Sequence, residues 1–341
     1  SKIQALFSPL MLLLIGASNL LVIYIGGKQY MNGQIEEIGI IAEFIIYVNM
    51  LTWPVASIGW VTSLVQEAEA SQKRINEFLK ETPNIINPTE KKTPIEGSIV
   101  FKDVYFTYED TNIEALKGVS FEVEKGKTLA IIGNTGSGKS TILELIGRLY
   151  DVQKGSIEID GSNIKTLNLN SLRTGIGFVP QDPFLFSDSL KNNIKFGKNK
   201  ATDTEVIEAS KKAVVHENII NFKNGYDTIL GERGITLSGW QKQRVSIARA
   251  FIKSPQILLL DDCLSAVDTE TEEQILNNIK LVTKNKTTII VSHRISSAKN
   301  ADTIIVLNDG VISQQGTHNM LITVEGYYKE LYQKQLRETS N

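Results

Sequence analysis

Gly133-Asn134-Thr135-Gly136-Ser137-Gly138-Lys139-Ser140 matches G-x-x-x-x-G-K-[ST], a spacing suited to holding phosphate groups. The glycines let the main chain wrap round an anion. Its N–H groups and the following helix N-terminus favour negative charge, and the Lys139 ammonium reaches the β- and γ-phosphates. Ser140 offers a hydroxyl to Mg²⁺, and Thr141 carries the site into the next helix. The context fits, because Thr128–Ile132 reads as a buried strand and Thr141–Tyr150 as a helix. A second apolar run, Ile257-Leu258-Leu259-Leu260-Asp261, reads as a strand ending in a carboxylate able to hold the same Mg²⁺. Together the two motifs predict a nucleotide and divalent-cation site, and they leave the reaction class open.

Leu237-Ser238-Gly239-Trp240-Gln241-Lys242-Gln243-Arg244 opens a helix that runs through Phe251. Here the chain resembles the ATP-binding cassette (ABC) family, whose signature reads LSGGQ before a basic, glutamine-rich segment. The resemblance implies that ATP and Mg²⁺ are the cofactors, that Ser140, Gln181 and Asp261 hold the metal, and that Ser238, Gly239 and Gln241 serve the γ-phosphate bound by an opposite cassette. It further implies adenine stacking on Tyr108, and a Q-loop at Val179-Pro180-Gln181-Asp182-Pro183 that senses the membrane part. A D-loop at Ser265-Ala266-Val267-Asp268 follows, with a γ-phosphate contact for His293, 32 positions after Asp261. Gly231-Glu232-Arg233-Gly234 resembles the segment that touches a partner's cytoplasmic loops in exporters.

Two positions depart from the family pattern. Asp262 stands where a general-base glutamate is expected. Its carboxylate sits one methylene closer to the main chain, and misplacement of roughly 1 Å can cost on the order of 100-fold in rate. The same substitution is familiar in one subunit of heterodimeric exporters. Trp240 replaces the second glycine of the signature, where an indole could obstruct a phosphate while the main-chain donor stays. Slow hydrolysis is therefore expected. The competing reading is a regulatory subunit that retains ATP with little turnover.

These residues need a scaffold. From Ile99 onward, strand-like runs alternate with helical patterns, which predicts an α/β domain with a mainly parallel sheet. The fold class expected is an α/β P-loop NTPase cassette of ABC type preceded by two transmembrane helices. Ile3–Gly27 holds no charged residue, and Ile38–Val65 holds only Glu43, so both reach across a bilayer core of about 30 Å. Lys2 and Lys73-Arg74 flank the pair while the intervening loop is net acidic, placing both ends in the cytoplasm. Glu43 either lines a substrate path or faces a partner helix, or else sits near the membrane interface.

Apolar residues at helical spacing continue the second span to Lys80. The domains expected are spans and cytoplasmic helix over 1–80, a proline-marked linker over 81–98, a cassette over 99–335 and a tail over 336–341. A chain that opens on Ser1 and enters a span at once is expected to be a fragment of a half-transporter with earlier spans. The partners expected are a second half-transporter, in a homo- or heterodimer, the lipid membrane, and a hydrophobic or amphipathic substrate.

Composition confines the alternatives. With 36 Lys+Arg against 38 Asp+Glu, the net charge of −2 argues against nucleic acid held through phosphate contacts. Soluble ABC ATPases of DNA repair separate P-loop from signature by a long coiled coil, whereas 99 positions separate Lys139 from Ser238. One cysteine, Cys263, forms no internal disulfide. The mean hydropathy of −0.07 averages an apolar N-terminal region with a polar remainder.

Overall fold

The computed structural model describes residues 2–234, 237–263 and 269–339. The chain divides into two compact units, Ser1–Pro83 and Asn84–Asn341.

The first unit is a hairpin of two helices, α1 (Lys2–Met31) and α2 (Gly39–Lys80). Both are long and apolar enough to cross a membrane, by length and composition, and their most apolar windows contain no buried residue. Leu12, Leu13, Leu20, Trp53 and Ile58 are all more than half exposed. Water tolerates no apolar surface of that extent, whereas a bilayer accepts it because helices satisfy their own backbone. Where the helices meet, Asn19 Nδ2 donates to Asn49 Oδ1 at 3.4 Å, and Gly26 leaves room for Ile41, whose side chain would lie 3.0 Å from an added Cβ. The helix α2 passes through Pro54 without interruption.

The second unit holds two sheets. One is antiparallel, in the order β2 (Glu114–Val123), β1 (Ile99–Thr107), β4 (Lys154–Ile159), β5 (Ser162–Asn163). The other has six strands in the order β10 (Val311–Gly316), β9 (Thr303–Asn308), β3 (Thr128–Gly133), β8 (Thr287–Val291), β7 (Ile257–Asp261), β6 (Ile176–Val179). Its strands run parallel except β10, which pairs antiparallel with β9. The sequence reading therefore holds for the central sheet, but Val119–Val123 and Ile157–Ile159 belong to a separate antiparallel layer. Burial explains the contrast: β3, β7 and β8 are buried almost throughout, whereas β1 and β2 bury part of their residues and expose others.

Three apolar clusters hold the layers. The first joins the antiparallel sheet, the helix Lys139–Ile146 and one face of the six-stranded sheet through residues such as Phe101, Leu116, Ile142 and Ile305. The second gathers helices Asp203–Lys212 and Gly239–Ile252 around Val206, Val245 and Leu258. The third seats the C-terminal helix Tyr327–Thr339 on Ala130, Ile132, Ile304 and Val306.

The segment read as a linker is part of this unit from Asn84 onward. Asp160 accepts from the N–H groups of Glu96, Gly97 and Ser98 at 2.7, 2.9 and 2.9 Å, and Asn87 Oδ1 accepts from Leu169 N. Gly97, at φ 120°, has no room for a side chain, since a Cβ would stand 2.8 Å from Thr287 Oγ1.

Candidate nucleotide site

Parallel sheets bind ligands beyond the carboxyl ends of their strands, and four of these strands end at one place. β3 runs into Gly133–Gly138, β6 into Pro180-Gln181, β7 into Asp261-Asp262, and β8 into Ser292-His293. The cleft there is lined by Tyr108, Thr135, Gly136, Gly138, Lys139, Ser140, Thr141, Gln181, Asp261, Asp262 and His293. Gly133 leaves no room for a side chain, since a Cβ would lie 2.0 Å from Leu307 O. Ser137 is buried behind the loop, and Asn134 forms its exposed shoulder.

Glycine is required at Gly138, where φ is 97° and a Cβ would meet Ala115 O at 2.4 Å. At Gly136, φ 80°, a Cβ would meet nothing within 4 Å, so this turn opens onto free space. Lys139 is buried, and its Nζ donates to Gly133 O at 3.0 Å and Asn134 O at 2.7 Å. Burial holds its pKa below the usual lysine value, while Asp262 and Asp261 oppose that shift. The ammonium thus sits at the neck of the loop with its charge poorly solvated, which favours an incoming phosphate.

Asp261 is 5% exposed. Burial, first, raises its pKa; Ser140's hydroxyl donates to the carboxylate and lowers it. Its Oδ1 is buried with no partner in the protein. An orphaned carboxylate oxygen beside a serine hydroxyl at the end of a strand fits Mg²⁺, which takes one or two carboxylates and completes its shell with phosphate and water. Gln181 is exposed and lines the same cleft as Ser140 and Asp261.

Asp262 lies at φ 40° in the left-handed region, its N–H donating to Val291 O at 2.9 Å. His293 has its pKa lowered, first by burial and then by Lys139, against the pull of Asp262. It enters neutral pH as an uncharged imidazole. Next to Asp262, burial pushes the Cys263 thiol far above its ordinary value, with the Asp262 carboxylate adding to the effect.

Tyr108 packs edge-on to Phe106 and Tyr150, and its hydroxyl reaches Thr141 Oγ1 at 3.0 Å and donates to Glu144 Oε2 at 2.8 Å. Both partners are on the loop's own helix, which fixes the ring at the rim of the cleft.

Ser238, Gly239 and Gln241 do not line this cleft. Ser238 caps the helix Gly239–Ile252 in a reciprocal box: its Oγ accepts from Gln241 N, and Gln241 Oε1 accepts from Ser238 N. The Gln241 side chain is thereby a capping partner, and Ser238 and Gly239 present the helix start to solvent.

Trp240, the second departure from the family pattern, is the second residue of the same helix. It is half-buried and packs against the apolar cluster under the helix, as an aromatic ring does where that cluster offers it cover. Two side chains of this helix bond to the segment that follows β6. Gln243 Nε2 donates to Pro180 O at 3.0 Å, and Arg249 donates to Asn193 O, Asn193 Oδ1 and Phe184 O. The 3₁₀ turn Glu232–Gly234 precedes it, and Ser265, Ala266, Val267 and Asp268 lie outside the described residues.

Residues 116–265 match the ABC transporter family. The second unit is an ABC transporter ATP-binding domain. Across almost the whole chain, the ABC domain and its preceding helices are 42% identical over 334 residues to a Bacillus subtilis protein named "Probable multidrug resistance ABC transporter ATP-binding/permease protein YheI", covering 98% of this chain and 57% of that one. They are 39% identical to the Escherichia coli "Multidrug resistance-like ATP-binding protein MdlA", covering 100% and 58%. Among solved structures, a bacterial Atm1-family ABC exporter with ATP bound superposes with a TM-score of 0.83 at 34% identity, over 97% of this chain and 59% of that one. The chain thus spans somewhat more than half the length of the relatives it matches.

Proposed function

We propose that the chain belongs to an ABC exporter half-transporter and contributes two membrane spans, a cytoplasmic extension of α2, and a cassette over 99–335 that binds and hydrolyses ATP. The observation that carries this reading is the convergence of Lys139, Asp261, Asp262, Gln181 and His293 on one cleft, while Ser238 and Gly239 stay exposed outside it. Such a division makes sense if the signature serves the nucleotide of a second cassette.

In this reading Lys139 and the Gly133–Gly138 main chain hold the β- and γ-phosphates, Tyr108 supports the adenine, and Asp262 orients and deprotonates the attacking water. His293 contacts the γ-phosphate. Ser140, Asp261 and Gln181 would hold Mg²⁺, whose positive charge would offset the charge that develops on the phosphates. The partner is a second half-transporter, the location is the cell membrane with the cassette in the cytoplasm, and the cargo is a hydrophobic or amphipathic molecule.

A second reading is supported by Asp262 itself. Its shorter carboxylate suits the impaired site of a heterodimer, in which this subunit holds ATP and stabilises the pair with little turnover. Asp262 lines the cleft of this chain's own P-loop, so that is the site it would slow. Single-turnover hydrolysis in lipid, alone and with a candidate partner half-transporter, separates the readings. Phosphate release within one transport cycle supports the enzyme, and ATP retained over many partner cycles supports the regulator.

A further inference from the structure

The helix Tyr327–Thr339 buries one stripe: Tyr327, Tyr328, Leu331 and Tyr332 pack on the third apolar cluster. One turn beyond Leu331, the same stripe presents Gln335 to the loop that follows β8. There both ends of the amide are bonded. Gln335 Nε2 donates to His293 O at 2.8 Å, and Gln335 Oε1 accepts from Ile295 N at 2.8 Å. The short helix Ile295–Ala298 starts at Arg294 with no side-chain cap of its own, so its leading N–H is satisfied by a residue 40 positions away. Ser292 N donates to Ile131 O, and Arg294 N to Ser292 Oγ, which fixes the residues on either side of His293 to β3 and to each other.

We propose that Gln335 is a positioning residue for ATP hydrolysis. It clamps the peptide of His293 from the C-terminal helix, holding the imidazole in the cleft beside Lys139 and Asp262. The inference rests on the reading of His293 as the γ-phosphate contact. A glutamine suits the task because its planar amide carries a donor and an acceptor side by side, matching the carbonyl of His293 and the N–H of Ile295. Glutamate keeps the acceptor but faces a carbonyl with a carboxylate, and leucine keeps the bulk while losing both bonds.

The test is steady-state ATPase of the intact protein in lipid, with ATP affinity from a fluorescent nucleotide titration and thermal stability recorded for every variant. Gln335→Leu and Gln335→Glu are expected to lower kcat on the order of 10-fold, in keeping with small misplacements of a catalytic group, with KM for ATP within about twofold. Lys334→Ala, exposed on the same helix, keeps wild-type kcat. In a His293→Ala background, Gln335→Leu is expected to cost nothing more, because the clamp then holds no imidazole. Wild-type kcat for both Gln335 variants, or a full further loss in the His293→Ala background, overturns the proposal. His293→Ala with undiminished kcat removes the underlying reading as well, and that single variant tells the two failures apart.

Discussion

The left-handed backbone of Asp262 bears on its chemistry. Aspartate tolerates positive φ better than longer side chains, because its short carboxylate can bond locally. Aspartate is thus compatible with this backbone, while a longer acid would extend further into the cleft. Asp262→Glu should raise kcat on the order of 10-fold with ATP affinity unchanged, and lower the melting temperature slightly; unchanged turnover would remove Asp262 as a limiting base. Asp262→Asn should keep ATP binding and abolish turnover, which an equilibrium titration beside a phosphate-release assay would check. His293 gives a pH signature. Its pKa is depressed below the roughly 6.5 of an unfolded chain by burial and Lys139, so the folded state binds the proton less readily. Its contribution to stability is intact above about pH 6.5 and is lost as pH falls through the depressed value. Nucleotide-free melting temperatures should fall more steeply between pH 7 and 5.5 in the wild type than in His293→Gln.

The elements that position these residues differ in how openly the sequence announces them. The strand, loop and helix around Lys139 and the strand ending at Asp261 were legible because a buried parallel strand writes itself as a run of apolar residues and the phosphate loop needs its glycines at fixed spacing. The capping box of Ser238 and Gln241 was within reach too, since it is a pattern of residues three apart. Other features leave no local trace. Neither the separation of β1, β2, β4 and β5 into their own sheet, nor the inward turn of Trp240, nor the bond from Gln243 to Pro180 follows from neighbours in sequence. Each is decided by packing between residues tens of positions apart. Asp160 is a further case, its carboxylate collecting three N–H groups from a stretch that reads as plain linker. Asp160→Ala should destabilise the cassette by about 1–3 kcal/mol, since several hydrogen bonds to a charged acceptor are lost together. Calorimetric or denaturant unfolding would measure that loss, with ATP affinity expected to stay close to wild type.

At the scale of the whole molecule, the exposure of Ser238 and Gly239 makes a prediction that one chain cannot satisfy by itself. If the signature serves a second cassette, as proposed, Ser238→Arg should leave this chain's own ATP affinity unchanged while halting hydrolysis at the P-loop of that second cassette. Mixed pairs carrying Ser238→Arg on one side and Lys139→Ala on the other would locate the defect, because only one of the two composite sites keeps all its parts. Watching such pairs close requires a reporter, and Cys263 decides how simply one can be installed. It is the chain's single cysteine, 4% exposed, and its thiol stays protonated well past neutral pH. Alkylating dyes and spin labels react with accessible thiolates, so this native sulfur should remain silent in the folded protein. A cysteine placed at Leu281, 74% exposed on the cassette surface, would then label alone, giving interprobe distances across a pair without first stripping the protein of its own thiol.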